Sequence, residues 1–360
     1  LDSHGAASSW PDWPGSQAQR APARSPGNAP APTPALSPAV ELPEPEPVLP
    51  DWVHWPRFKA ALDAGRLGAV NPSPPKTSIP SNPKPTGRRK ALLIGLNYEG
   101  TAAQLRSSIN NVDRVAAVLS RLGFPEEWML KLVDDSPAHA DTFPTKQVCV
   151  GAMRWLTYNA APGDVLFFHF SGHAVVQEGP DEAEDSVTNA LCPSDFAEFG
   201  FITAQEVYRT LIQLLPPYVR LTMLMDCCIP CACPEMPLLY DLQQDRWVVG
   251  DPSTRSQGDV VCLGAVGSDM TPEQLQHIRN AESGFVTSAF LQAMQELAQR
   301  RKGPVTYQEL VSEASEHLQR FPHRGLQLSV TQLFDPNVRT FRFFDAIQSK
   351  VRECPQVGAA

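Results

Sequence analysis

The feature that most constrains the fold is a regular alternation of strand and helix patterns from Arg88 onward. "KALLIGLNY" and "DVLFFHFSGH" are continuous apolar runs of strand length, as expected for strands that are covered on both faces. Between them, "QLRSSINNVDRVAAVLSRLGF" has apolar residues at helical spacing and a helix end near Gly123. Strands that alternate with helices in this way predict an α/β fold, with a mainly parallel central sheet and helices on both faces.

The rest of the chain continues the same alternation. Further strands are predicted for "WMLKLVDD", "VRLTMLMDCC", "DVVCLGAVGS" and "LQLSVTQLF". Further helices are predicted for "TKQVCVGAMRWLTYNA" (capped by Thr145), "TAQEVYRTLIQLL", "SGFVTSAFLQAMQELAQR" and "TYQELVSEASEHLQRF". With 42% hydrophobic residues, the chain has enough apolar material to cover such a sheet.

Proline usage marks the first domain boundary. Of the 36 prolines, 19 fall in residues 1–87, and proline both fixes φ and lacks a backbone donor. We therefore expect a mostly disordered arm over 1–87, a folded domain over 88–345 and a tail over 346–360. One island in the arm, "DWVHWPRFKAALDAGRLG", predicts a short helix that begins near Pro56 and ends at Gly65 or Gly68.

Four tryptophans lie beside prolines in this arm: Trp10, Trp13, Trp52 and Trp55. The favoured interpretation is that they pack against the folded domain. The alternative is that the arm is a docking motif for a partner protein.

Net charge and cysteine usage exclude several classes of protein. A net charge of −9 with no basic stripe argues against nucleic-acid binding. Eight cysteines in 360 residues do not resemble the framework of a small secreted module, which indicates a reducing, cytoplasmic setting. No apolar run reaches the ~20 residues that span a bilayer. The sequence begins at Leu1 rather than Met, which leaves open an N-terminal targeting segment.

Two of the predicted strands end in reactive residues. One delivers Ser171, Gly172 and His173, and the other delivers Asp226 and Cys228. Ligands bind beyond the carboxyl ends of parallel strands, so neighbouring strands would bring an imidazole and a thiol to one crevice. Such a pair supports acyl transfer, because the thiolate attacks a carbonyl carbon and the imidazole donates a proton to the leaving amine and then activates water. Singly, each residue is better explained as an ordinary strand-end or buried side chain.

The cysteine run "CCIPCAC" admits a second interpretation. Cys228 and Cys231 have the C-x-x-C spacing of a zinc site, with Cys227 and Cys233 nearby. Structural zinc sites normally take a second pair of ligands from a separate segment, and the sequence has no second C-x-x-C. This interpretation is therefore the weaker one.

Several phrases resemble those of metacaspases, the caspase-like cysteine peptidases of protists, fungi and plants. They are "KALLIGLNY", "QLRSSINNVDRV", "GFPEEWMLKLVDD", "PTKQVCVGAMRWL", "GDVLFFHFSGH", "PPYVRLTMLMDCC" and "SGFVTSAFLQAM". The resemblance covers roughly residues 88–344, and the Pro-rich arm is similar to the family's type I arrangement. It implies a caspase-haemoglobinase fold, peptidase clan CD, and cleavage of peptide or protein substrates after Arg or Lys.

The resemblance also implies roles for individual residues. His173 and Cys228 match the catalytic dyad, and the backbone amides of Ala174 and Cys228 match the oxyanion donors. The positions that bind the basic side chain are Asp226, Ser171 and Asn111.

The sequence departs from the family pattern at its site motifs. The motif SGHG reads "SGHA", with Ala174 in place of glycine, and DSCHSG reads "DCCIPC", with Ile229 and Pro230 in a turn that is normally flexible. Asn111 replaces an acidic residue, so one negative charge of the substrate pocket is missing.

Metacaspases are commonly activated by calcium, which needs several anionic oxygens. The matching positions here are Thr188, Ala204, Gln205 and Glu235, of which only the last keeps a carboxylate. The sequence therefore predicts that the family's calcium site is absent, that no metal is bound and that no cofactor is used.

Two functional hypotheses follow. The first is a calcium-independent cysteine endopeptidase that acts as a monomer and trims its own arm at the dibasic pair Arg88 and Arg89. The second is a pseudopeptidase, in which the fold persists as a regulatory or binding scaffold while catalysis is weak or lost.

Overall fold

The computed structural model describes residues 54–65, 87–135, 141–178, 187–227, 236–249, 254–266, 284–300, 303–319 and 325–341. Trp10, Trp13 and Trp52 lie outside these ranges, as do Cys228, Ile229, Pro230, Cys231, Cys233 and Glu235.

An eight-stranded sheet forms the centre of the described chain. Its strands run in the order β2-β1-β3-β7-β10-β11-β8-β9. The strand bounds are β1 Arg89–Gly95, β2 Met129–Val133, β3 Val165–Gly172, β7 Arg220–Cys227, β8 Leu238–Asp241, β9 Arg246–Val249, β10 Asp259–Val266 and β11 Gly325–Val330. The first five strands in this order are parallel, and the other three join antiparallel. The prediction of a mainly parallel sheet is confirmed.

Helices cover both faces of the sheet. Their bounds are α1 Trp55–Asp63, α2 Ser108–Arg121, α3 Lys146–Thr157, α4 Phe196–Phe199, α5 Ala204–Val207, α6 Phe285–Arg300 and α7 Tyr307–Leu318. Helices α2, α6 and α7 share one apolar core with the sheet face that carries Ala91, Phe167 and Leu224. Helix α3 lies on the opposite face, where Lys90 donates to the carbonyl of Trp155. Period-2 alternation along β1 explains why Lys90 and Ala91 point to opposite faces.

Three strands that the sequence did not predict form a separate small sheet. They are β4 Ala174–Glu178, β5 Val187–Leu191 and β6 Ile202–Thr203, all antiparallel. Strand β4 begins one residue after His173, so this sheet starts beside the predicted dyad histidine.

The short helix in the predicted arm packs on the domain. Trp55 and Phe58 of α1 are buried, and the indole Nε1 of Trp55 donates to the carbonyl of Asp141 at 3.0 Å. The ring of Trp55 meets that of Trp155 edge-on, at 6.4 Å between centroids. For Trp55, the interpretation that arm tryptophans pack against the domain is confirmed.

The order of the strands fixes where a crevice can form. After β1 the chain turns toward β2, on one side of the sheet, and after β3 it turns toward β7, on the other side. The loops that follow β1 and β3 therefore diverge. A ligand-binding crevice is expected at this switch point, beyond the carboxyl ends of β1 and β3.

Candidate active site

Strands β3 and β7 are neighbours, as the pairing of the predicted dyad requires. They run parallel, with Ser171 opposite Asp226 and Gly172 opposite Cys227. His173 follows directly after the first strand, and position 228 follows directly after the second. The two chain segments therefore leave the sheet side by side at the same edge.

His173 is buried and held by the loop that follows β1. Its Nε2 lies 2.7 Å from the carbonyl oxygen of Ala103, which can only accept a hydrogen bond. Nε2 therefore carries the proton, and in a neutral ring Nδ1 is the nitrogen that can take a proton from a thiol.

The three predicted substrate-binding residues lie in one polar cluster, in which Asn111 and Ser171 are buried and Asp226 is half-buried. The amide nitrogen Nδ2 of Asn111 lies 3.0 Å from Ser171 Oγ and 3.3 Å from Asp226 Oδ2. Asn111 on α2 is fully buried, and its Oδ1 accepts a bond from the backbone amide of Gly284 at 3.1 Å. The structure thus brings together three residues that are distant in sequence.

Asp226 also caps helix α6. Its two carboxylate oxygens accept bonds from the backbone amides of Val286 (3.3 Å) and Thr287 (3.0 Å), in the first turn of the helix. These amides have no partner within the helix, and the helix dipole favours a negative charge at this end. The carboxylate is therefore tied to the protein before any substrate arrives.

His169 is a buried residue that the sequence analysis did not single out. It lies on the same face of β3 as Ser171, and its Nδ1 donates to the carbonyl of Leu224 at 3.0 Å. Its Nε2 has no hydrogen-bond partner among the described residues. Burial lowers the pKa of His169, while the Asp226 carboxylate acts in the opposite direction, so the ring is neutral at neutral pH.

Ala174 lies at a point in the β4–β5 ladder that suits the predicted oxyanion role. His173 and Cys192 face each other at a hydrogen-bonded position of the ladder, where the amide of Cys192 donates to the carbonyl of His173 at 3.0 Å. The next pair, Ala174 and Leu191, is therefore of the type whose amides point away from the partner strand.

Two further residues, Tyr98 and Asp134, were missed by the sequence analysis. The hydroxyl of Tyr98 accepts a bond from the amide of His173 at 3.0 Å. Both oxygens of Asp134 accept from the backbone, from Asn97 at 2.8 Å and from Tyr98 at 2.6 Å. Burial raises the pKa of Asp134 although these bonds favour its ionised form. The signal for Tyr98 was its position just after β1, at the switch point of the sheet.

The positions that match the family's calcium site are only partly described. Thr188 lies on β5, and Ala204 and Gln205 form the start of α5. Within the described ranges, one group of three potential metal ligands comes together: Glu296, Glu313 and His317, between α6 and α7. Arg300 already pairs with both of these glutamates.

The dibasic pair predicted as a processing site lies at the start of β1. The backbone amide of Arg88 donates to Asp164 Oδ1 at 2.9 Å, and its guanidinium pairs with Asp164 Oδ2 at 2.9 Å. The guanidinium of Arg89 donates to the carbonyl of Leu122. Cleavage at this pair would first have to release these bonds.

The cysteines differ in state. Cys149, Cys192 and Cys227 are buried, whereas Cys262 on β10 is disulfide-bonded. Burial, with a smaller contribution from the charge of Asp195, raises the pKa of the Cys149 thiol, which makes this thiol unreactive. The disulfide of Cys262 differs from the expectation of reduced thiols. The zinc hypothesis rests on cysteines that lie mostly outside the described ranges.

No helix in the described part of the chain is both long enough and apolar enough to cross a bilayer.

Part of the chain is similar to known proteins. Residues 89–237 match the family model described as metacaspase, peptidase C14 domain. Metacaspase-1 of Sclerotinia sclerotiorum is 38% identical over 185 residues, which cover 51% of this chain and 42% of that protein. Metacaspase-5 of Trypanosoma brucei brucei is 31% identical over 226 residues, covering 59% and 45%. The chain thus matches less than half the length of these curated relatives.

The chain is also similar to solved structures at low sequence identity. Protein GSU0716 from Geobacter sulfurreducens is 17% identical with a TM-score of 0.49, covering 72% of this chain and 98% of that one. Caspase-1 from Spodoptera frugiperda is 12% identical with a TM-score of 0.34, covering 76% and 97%.

The mainly parallel sheet with helices on both faces confirms the predicted α/β class. The family match covers β1 to the segment after β7, which includes every predicted catalytic and substrate-binding residue. Over this domain the chain is similar to metacaspases, and the curated relatives that match it at 31–38% identity are metacaspases.

Proposed function

We propose that the protein is a calcium-independent cysteine endopeptidase that cleaves peptide or protein substrates after Arg or Lys. Cys228 is the nucleophile, and His173 is the general base and acid. The observation that carries this proposal is the register of β3 and β7, in which Gly172 lies opposite Cys227 and the dyad positions follow at the same edge.

The chemistry follows from the bonds of His173. With Nε2 donating to Ala103, Nδ1 takes the proton from the Cys228 thiol and returns it to the leaving amine. The thiolate adds to the peptide carbonyl, and the backbone amides of Ala174 and Cys228 stabilise the oxyanion. Water then hydrolyses the thioester.

The polar cluster of Asp226, Ser171 and Asn111 supports recognition of a basic side chain. Asp226 supplies the negative charge, while Ser171 and Asn111 offer polar atoms beside it. Because Asn111 is neutral, these three residues carry a single formal charge.

The test is hydrolysis of a fluorogenic peptide with Arg before the scissile bond, in chelator and in added calcium. We expect cleavage in chelator, no stimulation by calcium, and a loss of ~10³-fold or more in Cys228→Ala. Cys227→Ala is the matched control, since strand alternation sends Cys227 to the opposite face. Equal losses in both variants would overturn the assignment of the nucleophile.

A second candidate function is a pseudopeptidase that acts as a binding scaffold. It is favoured by one observation, that both oxygens of Asp226 already accept bonds from α6. A thiol-reactive probe with an Arg recognition group separates the two functions. Labelling of Cys228 supports the peptidase, and absence of labelling in both chelator and calcium supports the scaffold.

A further inference from the structure

The hydroxyl of Tyr98 takes the place of a ladder bond between two strands. The amide of Cys192 donates directly to the carbonyl of His173 at 3.0 Å. In the opposite direction the amide of His173 donates to Tyr98 Oη at 3.0 Å, and that hydroxyl donates to the carbonyl of Cys192 at 2.7 Å. The two strands are thus held apart by one oxygen atom at the residue that carries the imidazole.

The loop that presents this hydroxyl is itself held in an unusual conformation. Tyr98 has a φ of +51°, in the left-handed region that costs a non-glycine residue about 1–2 kcal/mol. The carboxylate of Asp134 stabilises this turn by accepting bonds from the amides of Asn97 and Tyr98. Backbone strain of this kind persists only where the surroundings enforce it.

The same loop holds the imidazole ring. The carbonyl of Tyr98 accepts a bond from Thr101 Oγ1 at 2.8 Å, and that oxygen accepts from the amide of Ala103 at 3.1 Å. The carbonyl of Ala103 then accepts from His173 Nε2 at 2.7 Å. The backbone and the ring of His173 are therefore both located by one turn.

Close packing leaves the hydroxyl little room to move. A Cβ atom on Gly172 would lie 2.9 Å from Tyr98 Oη and 3.2 Å from the ring of Phe170. The rings of Tyr98 and His173 lie 5.0 Å apart between centroids, and both side chains are more than nine-tenths buried.

We propose that Tyr98 is a positioning residue for His173. Its hydroxyl holds the backbone of His173 apart from that of Cys192, at the start of the β4–β5 ladder, and this spacing sets the position of the imidazole. The inference rests on the proposed Cys228–His173 pair. Without the hydroxyl, the amide of His173 and the carbonyl of Cys192 must either close the gap or lose their partners, and both outcomes move the ring.

The test is Tyr98→Phe, which removes the hydroxyl and keeps the ring. The matched control is Tyr208→Phe, because the hydroxyl of Tyr208 also donates to a backbone carbonyl, that of Arg255 at 2.8 Å, away from the site. For Tyr98→Phe we expect kcat on the Arg peptide to fall ~10- to 100-fold, with KM within ~2-fold, and the acidic limb of the pH–rate profile to move. The control should match the wild type in all three.

A second measurement does not depend on turnover. The rate of alkylation of Cys228 by iodoacetamide, followed by peptide mass spectrometry, measures the fraction of this thiol that is ionised. A nearby imidazole increases that fraction. We expect this rate at pH 7 to fall ~10-fold in Tyr98→Phe and to stay unchanged in Tyr208→Phe.

The outcomes separate this inference from the peptidase proposal. If the wild type cleaves no peptide but alkylation depends on Tyr98, the peptidase proposal fails and the positioning role stands. If alkylation is the same in Tyr98→Phe and the wild type, the positioning role is wrong, whether or not the wild type is active.

Discussion

Gly284 lies so close to the carboxylate of Asp226 that a Cβ atom on residue 284 would overlap Asp226 Oδ2 and Asn111 Nδ2. The absence of a side chain at this position allows α6 to begin directly against the predicted substrate pocket. Small changes at Gly284 therefore act on the pocket and on the fold together.

We expect Gly284→Ala to displace Asp226, to lower stability by about 1–3 kcal/mol and to reduce kcat/KM for Arg peptides. The control is Gly303→Ala, where an added Cβ meets nothing within 4 Å. Chemical denaturation and peptide hydrolysis measure the two effects. Wild-type behaviour of Gly284→Ala in both assays would contradict the described packing.

Asn111 offers a test of charge in the pocket. In Asn111→Asp the donor to Ser171 and Asp226 is lost, and two carboxylates meet in a buried site, where one is forced to keep its proton. We expect a loss of about 1–3 kcal/mol at pH 8 that becomes smaller toward pH 5, because protonation removes the repulsion.

The same variant should recover some stability when a basic ligand binds. We expect an Arg-containing peptide aldehyde to raise the melting temperature of Asn111→Asp more than that of the wild type. Asn110→Asp, which adds the same charge at the exposed neighbouring position, serves as the control. Equal shifts in Asn111→Asp and the wild type would show that the ligand does not reach this pocket.

Lys90 makes the stability of the folded protein depend on pH. It is fully buried on β1 beneath the ring of Trp155, and burial, with a smaller contribution from the charge of Arg88, lowers its pKa to about 6 from 10.5. The unfolded chain binds this proton more tightly than the folded one, so stability rises with pH between about 6 and 10.5, by at most about 1.4 kcal/mol per pH unit.

Lys90→Met should remove this slope and stabilise the protein at pH 7 by a few kcal/mol. Urea denaturation at pH 6.5, 8 and 9.5 measures the effect. Lys131→Met, at a half-exposed lysine that pairs with Asp113, is the control and should leave the slope unchanged. A slope retained in Lys90→Met would mean that another group is responsible.

Processing at Arg88 and Arg89 stays a prediction. The hydrogen bonds of Arg88 allow the rate of this cleavage to be predicted as well. Since Asp164 binds both the amide and the guanidinium of Arg88, we expect self-cleavage in the folded protein to be slow and Asp164→Asn to accelerate it several-fold. Asp259→Asn removes a comparable buried partner of Arg220 and tests for general destabilisation. Intact mass measured over time would show the difference. Equal acceleration in both variants would point to global opening.

The long elements of the fold were predictable from sequence. Strands β3, β7 and β10 are continuous apolar runs, and α3 begins at the predicted cap, where Thr145 Oγ1 accepts from the amide of Val148. Strands β4 to β6 and the hairpin of β8 and β9 were missed. They span two to five residues each, too few for a periodic pattern, and they form through pairing with distant partners.

Residues of the site could be predicted only where a reactive side chain stands at the end of a recognisable strand. His173 and Asp226 each follow or end an apolar run, which identified them. Tyr98, Asp134 and Gly284 act through contacts across 36 to 173 positions of sequence, and no local pattern marks such contacts.

The packing of α1 against α3 has a consequence for any maturation of the chain. Gly151 on α3 lets Leu62 approach so closely that a Cβ there would lie 2.8 Å from its methyl group, and buried Trp55 and Phe58 each contribute about 1.5–3 kcal/mol. Cleavage of the backbone between residues 66 and 88 would therefore yield two polypeptides that remain bound to each other as a non-covalent complex. Cleavage of the N-terminal arm and its release would be separate steps, and release would require α1 to dissociate from α3.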